Sequence, residues 1–167
     1  MMNAAKIRDL LKMQPLPIEG GYFAETYRSG VMIPKGVLPA GYQGDRSVAT
    51  AIYYLLTPDT FSALHRLRGD EIFHFYLGDP VEMLELYAGG TGSITVLGKD
   101  IGLGQKLQHV VTAGVWQGCR LSAGGEYGLL GTTVSPGFDY EDYETGPRDE
   151  LTARYPSFKE KIEALTR

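Results

Sequence analysis

Residues 65–78 read HRLRGDEIFHFYLG, a segment that holds two of the chain's three histidines together with Glu71. An imidazole and a carboxylate brought together support two kinds of chemistry. Without a metal, the acid fixes the ring's tautomer and raises its basicity, which makes a general base for proton transfer. With further nitrogen or thiolate donors, the same pair begins a transition-metal site. So few histidines offer few general bases, which makes His65 the first candidate, with Glu71 its orienting acid. His74 lies three residues beyond Glu71, and side chains in a regular strand alternate, so the two are expected on opposite faces unless a bulge intervenes. For His74, between Phe73 and Phe75, core packing and a place at a ligand pocket both stand open. His109, in LQHVV, is read as structural or exposed.

The elements that must position these groups read as short strands. The chain has 22 glycines, nine prolines and eleven tyrosines, and glycine-marked turns separate short aromatic and β-branched runs. GGYFAETYRS, SVATAIYYLL, FSALHRL, EIFHFYL, VEMLELY, SITVLG, LQHVV, VWQGCRL and GLLGTTV give nine or ten strands at the spacing of a sandwich or small barrel. SVATAIYYLL is apolar on both faces, as a strand buried on both sides would be. Residues 31–46 hold two prolines and three glycines and read as a long loop.

A helix is expected over about residues 3–13, with Asn3 as its N-cap and QPLP ending it. A second is expected over 157–166, with Ser157 and Glu160 in capping-box spacing and Phe158, Ile162 and Leu165 on one stripe. The acidic stretch DYEDYETGPRDE reads as solvated surface. With 167 residues, the reading is one all-β domain, its barrel over about 20–138 and a short helix at each terminus.

Strand parity supplies further candidates. Glu25 and Tyr27 alternate on the first strand and share a face that can approach a pocket edge, with Arg28 opposite. Phe61 and Ala63 fall on the same face as His65. Tyr53 and Tyr54 must split inward and outward, and Tyr53 is taken as a proton donor. Trp116 and Gln117 adjoin the pocket as ligand-binding candidates, and Arg68, at a turn, can reach a ligand anion. Cys119 has no basic neighbour to activate it.

A formal charge of −4 and a pI near 5.4 argue against a nucleic-acid footprint. No apolar run reaches the length of a membrane span, and a single cysteine forms no internal disulfide. Neither nucleic acid nor membrane is expected as a partner, and the expected location is cytoplasmic.

Two stretches resemble the paired motifs of the cupin superfamily. His65 takes the first histidine position, Glu71 the acid and Gly78 the glycine of the first motif. In TAGVWQ, Gly114 and Gln117 fall on the glycine and histidine positions of the second. PLPIEGGYFAETYRS, the run from Ala49 to Pro80, VVTAGVWQ and TTVSPGFDYEDYE are similar to signature stretches of the cupin-5 (DUF985) family. That resemblance implies a double-stranded β-helix, or jelly-roll, barrel, commonly a homodimer, with no assigned activity. It also implies a metal position at which this chain departs: Leu67 and Gln117 stand where two ligand histidines belong. Only His65, Glu71 and the weak amide donor Gln117 are left, so no cofactor is expected. Within the superfamily the nearest mechanistic pattern is that of sugar epimerases, where a histidine abstracts a proton and a tyrosine returns one.

The functional expectation is a metal-independent pocket for a small polar, carbohydrate-like metabolite, used for epimerisation or isomerisation. A non-catalytic binder fits the same aromatic pocket. A metal-dependent cupin with a reduced ligand set is the third reading.

Overall fold

The computed structural model describes residues 2–167. Helix α1 (Ala4–Leu11) begins where the Asn3 side-chain oxygen accepts the Lys6 N–H at 2.9 Å, satisfying a donor that a helix start leaves free. It stops at Lys12, whose left-handed backbone (φ 53°) returns its N–H to the last turn. The helix therefore ends before QPLP is reached, and Gln14–Pro15 forms a short strand, β1.

The strands that follow are β2 (Tyr22–Arg28), β3 (Met32–Ile33), β4 (Arg46–Ser47), β5 (Thr50–Leu56), β6 (Phe61–Arg66), β7 (Asp70–Gly78), β8 (Val81–Leu86), β9 (Gly92–Leu97), β10 (Gln108–Val111), β11 (Trp116–Leu121), β12 (Gly128–Ser135) and β13 (Glu144–Thr145). They build one sheet in the order β1-β2-β5-β12-β7-β10 and a second in the order β13-β6-β11-β8-β9. All strand pairs in both sheets are antiparallel. From β5 to β13 successive strands cross between the two sheets, apart from the β8–β9 hairpin, as in a jelly roll.

One apolar cluster lies between the sheets, with Phe73 and Leu130 from the first meeting Met83 and Cys119 from the second. The outer faces are covered by helices. Ile7 of α1 packs on Leu55 and Leu129. On the other side Leu151, Ile162 and Leu165 pack on Leu64 and Leu84. No helix is long and apolar enough to cross a membrane among the described residues.

Two sequence expectations change here. The 31–46 stretch includes a small ribbon, because β3 pairs with β4. The acidic tail is not all solvated loop: Arg148–Arg154 is a helix, α2, anchored by buried Leu151. The terminal helix, α3 (Lys159–Ala164), is shorter than expected and lacks the Ser157 capping box, since Pro156–Phe158 forms a separate 3-10 turn.

Bulges on β6 and β2 decide which side chains of those strands face inward. On β6, the pairing with β11 runs Gln117 to His65 and then Cys119 to Ser62, so an extra residue separates the two pairs. Gly118 permits this, since a Cβ there would meet the Ser62 carbonyl oxygen at 2.9 Å and the Leu64 nitrogen at 3.1 Å. Ser62 therefore lies inward with His65, while Phe61 packs outward beneath the C-terminal helices. The expected shared face of Phe61 and His65 fails for that reason. On β2, Thr26 is the extra residue between the Glu25–Ile52 and Tyr27–Ala51 pairs.

Candidate active site

His65 is buried, with its ring stacked on Tyr143 at 4.8 Å between centroids and 15° between planes. Its Nδ1 lies 2.7 Å from the Ala63 carbonyl. A carbonyl oxygen only accepts, so Nδ1 carries the proton and the neutral ring keeps its lone pair on Nε2. Nε2 points towards Glu19, at 4.0 Å from Oε2. The acid beside the basic nitrogen is thus Glu19, from the turn between β1 and β2, rather than Glu71. Ser62 donates to the other oxygen of Glu19, and the Ala63 N–H donates to the Glu19 carbonyl. Nothing in IEGG marks Glu19 by periodicity; only the packing of that turn against β6 brings it in.

Glu71, on β7 of the opposite sheet, accepts from the Gln117 amide nitrogen at 2.6 Å. Burial, reinforced by the negative charge of Glu19, pushes its carboxyl up to about 7, although His65 and hydrogen bonds from Thr132 and Gln117 pull the other way. Gln117 is also buried, and its own amide oxygen has no hydrogen-bond partner. Tyr54 and Cys119 lie on the same interior, where burial holds the phenol and the thiol well above their ordinary values. Both stay protonated, and the thiol is not a nucleophile.

A cavity of about 90 Å³ opens onto Glu19, Glu71 and Thr132, with Leu67 and Ile52 in its wall and Arg28, Phe138 and Tyr140 at its rim. His65 does not line it. The ring stands behind the two carboxylates, so Glu19 and Glu71 are the groups a ligand meets first.

The remaining candidates separate by strand geometry. Glu25 reaches the rim, where it holds Arg28 at 2.7 Å. The Thr26 bulge turns Arg28 to that face and leaves Tyr27 outside and exposed, which reverses the parity expectation for both. Tyr53 faces outward against Tyr76 beneath α1, and Tyr54 takes the inward position. Tyr53 is therefore not placed to donate a proton in the cavity. No bulge falls between Glu71 and His74, so His74 lies on the outer face between Gln108 and Thr133, stacked on Tyr76. Trp116 packs among Leu64, Leu84 and Leu151 with the Arg66 guanidinium 4.5 Å above its ring; as the neighbour of Gln117 it must face the other way. Arg68 lines a different pocket, on the far side of Leu67.

His109 proves structural and largely buried, its Nε2 2.6 Å from Glu85. His65, Gln117 and Glu85 stand directly opposite one another across β6, β11 and β8. A polar row therefore crosses the second sheet, with a histidine–carboxylate couple at each end.

The donor set does not fit a transition metal. Among the described residues no three His, Cys, Asp or Glu side chains gather as a metal-binding group. Leu67 lines the cavity wall without a donor atom, and Gln117 turns its N–H towards Glu71 rather than an oxygen towards a shared centre.

The model of the cupin superfamily family DUF985 matches residues 5–146. An uncharacterized protein of Saccharomyces cerevisiae is 32% identical over 133 residues, covering 75% of this chain and 66% of the yeast protein. The chain thus spans just under two thirds of that relative's length. A Shewanella oneidensis protein of known structure is 30% identical with a TM-score of 0.86, covering 100% of this chain and 99% of that one. A hypothetical protein from Leishmania major is 29% identical with a TM-score of 0.87, covering 99% of each chain. Oxalate decarboxylase from Bacillus subtilis, at 15% identity and a TM-score of 0.53 over 92% of this chain and 37% of that one, shares the fold alone. With the alternating antiparallel sheets and the His65–Glu71 segment, these matches make the chain a member of the DUF985 (cupin-5) family of the cupin superfamily.

Proposed function

We propose that the chain takes up a small, polar, carbohydrate-like metabolite in the cavity above Glu71 and moves a proton on it without a metal, as an isomerase or epimerase. The observation that carries this reading is Glu71 itself: a buried carboxyl facing a cavity and held up to about 7, the range in which one group both takes and returns protons at neutral pH. In its ionised form Glu71 removes the proton from the C–H bond next to a substrate carbonyl, and the bond's electron pair passes to the carbonyl oxygen. The enediolate passes its hydroxyl proton to the other oxygen. The proton held by Glu71, or one exchanged with water, then returns to the former carbonyl carbon, so that the carbonyl shifts by one position.

Glu19 raises the basicity of Glu71 by its charge. Gln117 fixes its orientation. His65 stands behind the carboxylates, its tautomer set by Ala63 and its Nε2 turned towards Glu19. The volume of about 90 Å³ corresponds to about three waters and suits a small hydroxy ketone or hydroxy aldehyde better than a nucleotide sugar.

Incubation with dihydroxyacetone or erythrose in D2O, followed by NMR, tests the chemistry. Deuterium enters the carbon beside the carbonyl with the wild type and not with Glu71→Gln. Binding by thermal shift without exchange overturns the enzyme reading in favour of a non-catalytic binder. A homodimer belongs to the same proposal, supported by the exposed apolar Val31, Met32 and Val37 on the 31–46 segment. Sedimentation mass tests it, and a monomer rejects it.

A further inference from the structure

Across Leu67 from the inner cavity lies a second pocket, of about 450 Å³, bounded by Tyr42, Arg66, Arg68, Gly114 and Tyr143. Two arginines and three acids line it, and all three acids are held by Arg66 or by Arg46 behind the pocket wall. Arg66 grips Glu144 through two hydrogen bonds of 2.8 and 2.7 Å. Arg46, itself buried, grips Asp142 at 2.7 and 2.9 Å and reaches Glu141 at 3.2 Å.

Arg68 is left over. Its Nε stands 3.8 Å from Asp142, beyond hydrogen-bonding distance, and that carboxylate is already occupied on both oxygens by Arg46. Among the described residues Arg68 makes no hydrogen bond. Gly41, at φ +109°, lies against the guanidinium, where a Cβ would meet Arg68 Nη1. Independently, Tyr42 lines the same pocket at 4% exposure, and its buried hydroxyl has no hydrogen-bond partner. A buried O–H is costly to leave without an acceptor, and the half-exposed Arg68 guanidinium has its donors free to meet a ligand. Both groups lack the same thing, an acceptor oxygen.

We propose that this pocket is a binding site for a small oxyanion, a carboxylate or a phosphate, received by the Arg68 fork and the Tyr42 hydroxyl. Such ligands accept two hydrogen bonds side by side, which is the geometry a guanidinium offers. The site is separate from the Glu71 cavity, with Leu67 as the partition between them, so it stands whether or not the proton chemistry does.

Calorimetric titration at low ionic strength with lactate, with inorganic phosphate and with uncharged glycerol tests it. The expected result is saturable binding of at least one anion at millimolar concentration and none of glycerol; which anion binds more tightly tells carboxylate from phosphate. Arg68→Gln weakens the interaction by roughly tenfold or more, and the isosteric Tyr42→Phe weakens it several-fold, with both variants first shown to be folded by circular dichroism. Arg68→Lys, which keeps the charge but loses the fork, falls between. Absence of saturable anion binding, or binding indifferent to Arg68→Gln and Tyr42→Phe, overturns the proposal. Binding abolished by Glu71→Gln instead would move the anion to the inner cavity and overturn it as well.

Discussion

The two histidine–carboxylate couples inside this barrel sit at opposite ends of one polar row, yet they are built differently. His109 meets Glu85 at 2.6 Å, with Thr95 adding a longer contact at 3.4 Å. His65 stands 4.0 Å from Glu19, gives its Nδ1 proton to the backbone, and faces a second carboxyl across the barrel. The first couple is closed: its donor and acceptor satisfy each other, and neither group lines the inner cavity. The second has an acceptor surplus, a carboxyl near neutrality and a cavity in front of it. Two buried pairs of the same composition thus divide into a structural tie and a site with chemical capacity. What separates them is whether the hydrogen bonding is complete.

The sharpest way to break this contrast is Glu71→Gln. It should lower proton exchange by about 100- to 10,000-fold, the range for loss of a general base, while the amide keeps its contacts and the fold; NMR of the exchanged substrate reads it. An equal loss on substituting Glu85 would erase the distinction between the two couples.

Glu85→Ala should act on stability instead. It strands His109 and costs about 3 kcal/mol, read by chemical denaturation.

The pH dependence of stability carries the next effect. The folded protein holds the Glu71 proton up to about 7, against an ordinary value of 4.5, so folding binds a proton more tightly than the open chain does. That contribution is fully present below pH 4.5 and is lost as pH rises through 7, about 3 kcal/mol in all. Denaturation midpoints between pH 5 and 8 should fall with rising pH from this group, and Glu71→Gln should remove that slope.

The smallest effect is expected for Glu19→Gln, about 1 kcal/mol in stability. Its signature is a shift of the exchange rate's pH profile to more acid values, because the charge that raises Glu71 is gone. A profile that stays in place would show that burial alone sets the Glu71 proton affinity.

The residue pattern was informative wherever alternation runs unbroken. HRLRGDEIFHFYLG held two of the buried site groups, and the opposition of Glu71 and His74 followed from a count of three along a regular strand. Parity failed where a strand gains a residue. The Thr26 bulge sent Tyr27 out and Arg28 in, and the bulge against Gly118 put Ser62, not Phe61, beside His65. Parity also could not say which of Tyr53 and Tyr54 faces inward, because a strand buried on both sides is apolar on both. The acidic tail hid α2, whose burial rests chiefly on one residue, Leu151, too little to show as a stripe.

By itself, then, the amino-acid order determined an all-β chain of short strands with terminal helices, since hydrophobic alternation and glycine turns are local properties. The resemblance to the cupin-5 family implied the barrel, with an imidazole and a carboxyl group on its inner wall. Only the tertiary structure decided that the imidazole's acidic neighbour is Glu19, that Glu71 is held by Gln117 and fronts the cavity, and that Arg68 belongs to a separate pocket. Those choices depend on strand register, on bulges that one glycine admits, and on a turn delivered from elsewhere in the chain. None of these leaves a periodic mark in sequence, because each is settled by what packs across the barrel rather than by what stands next along the strand.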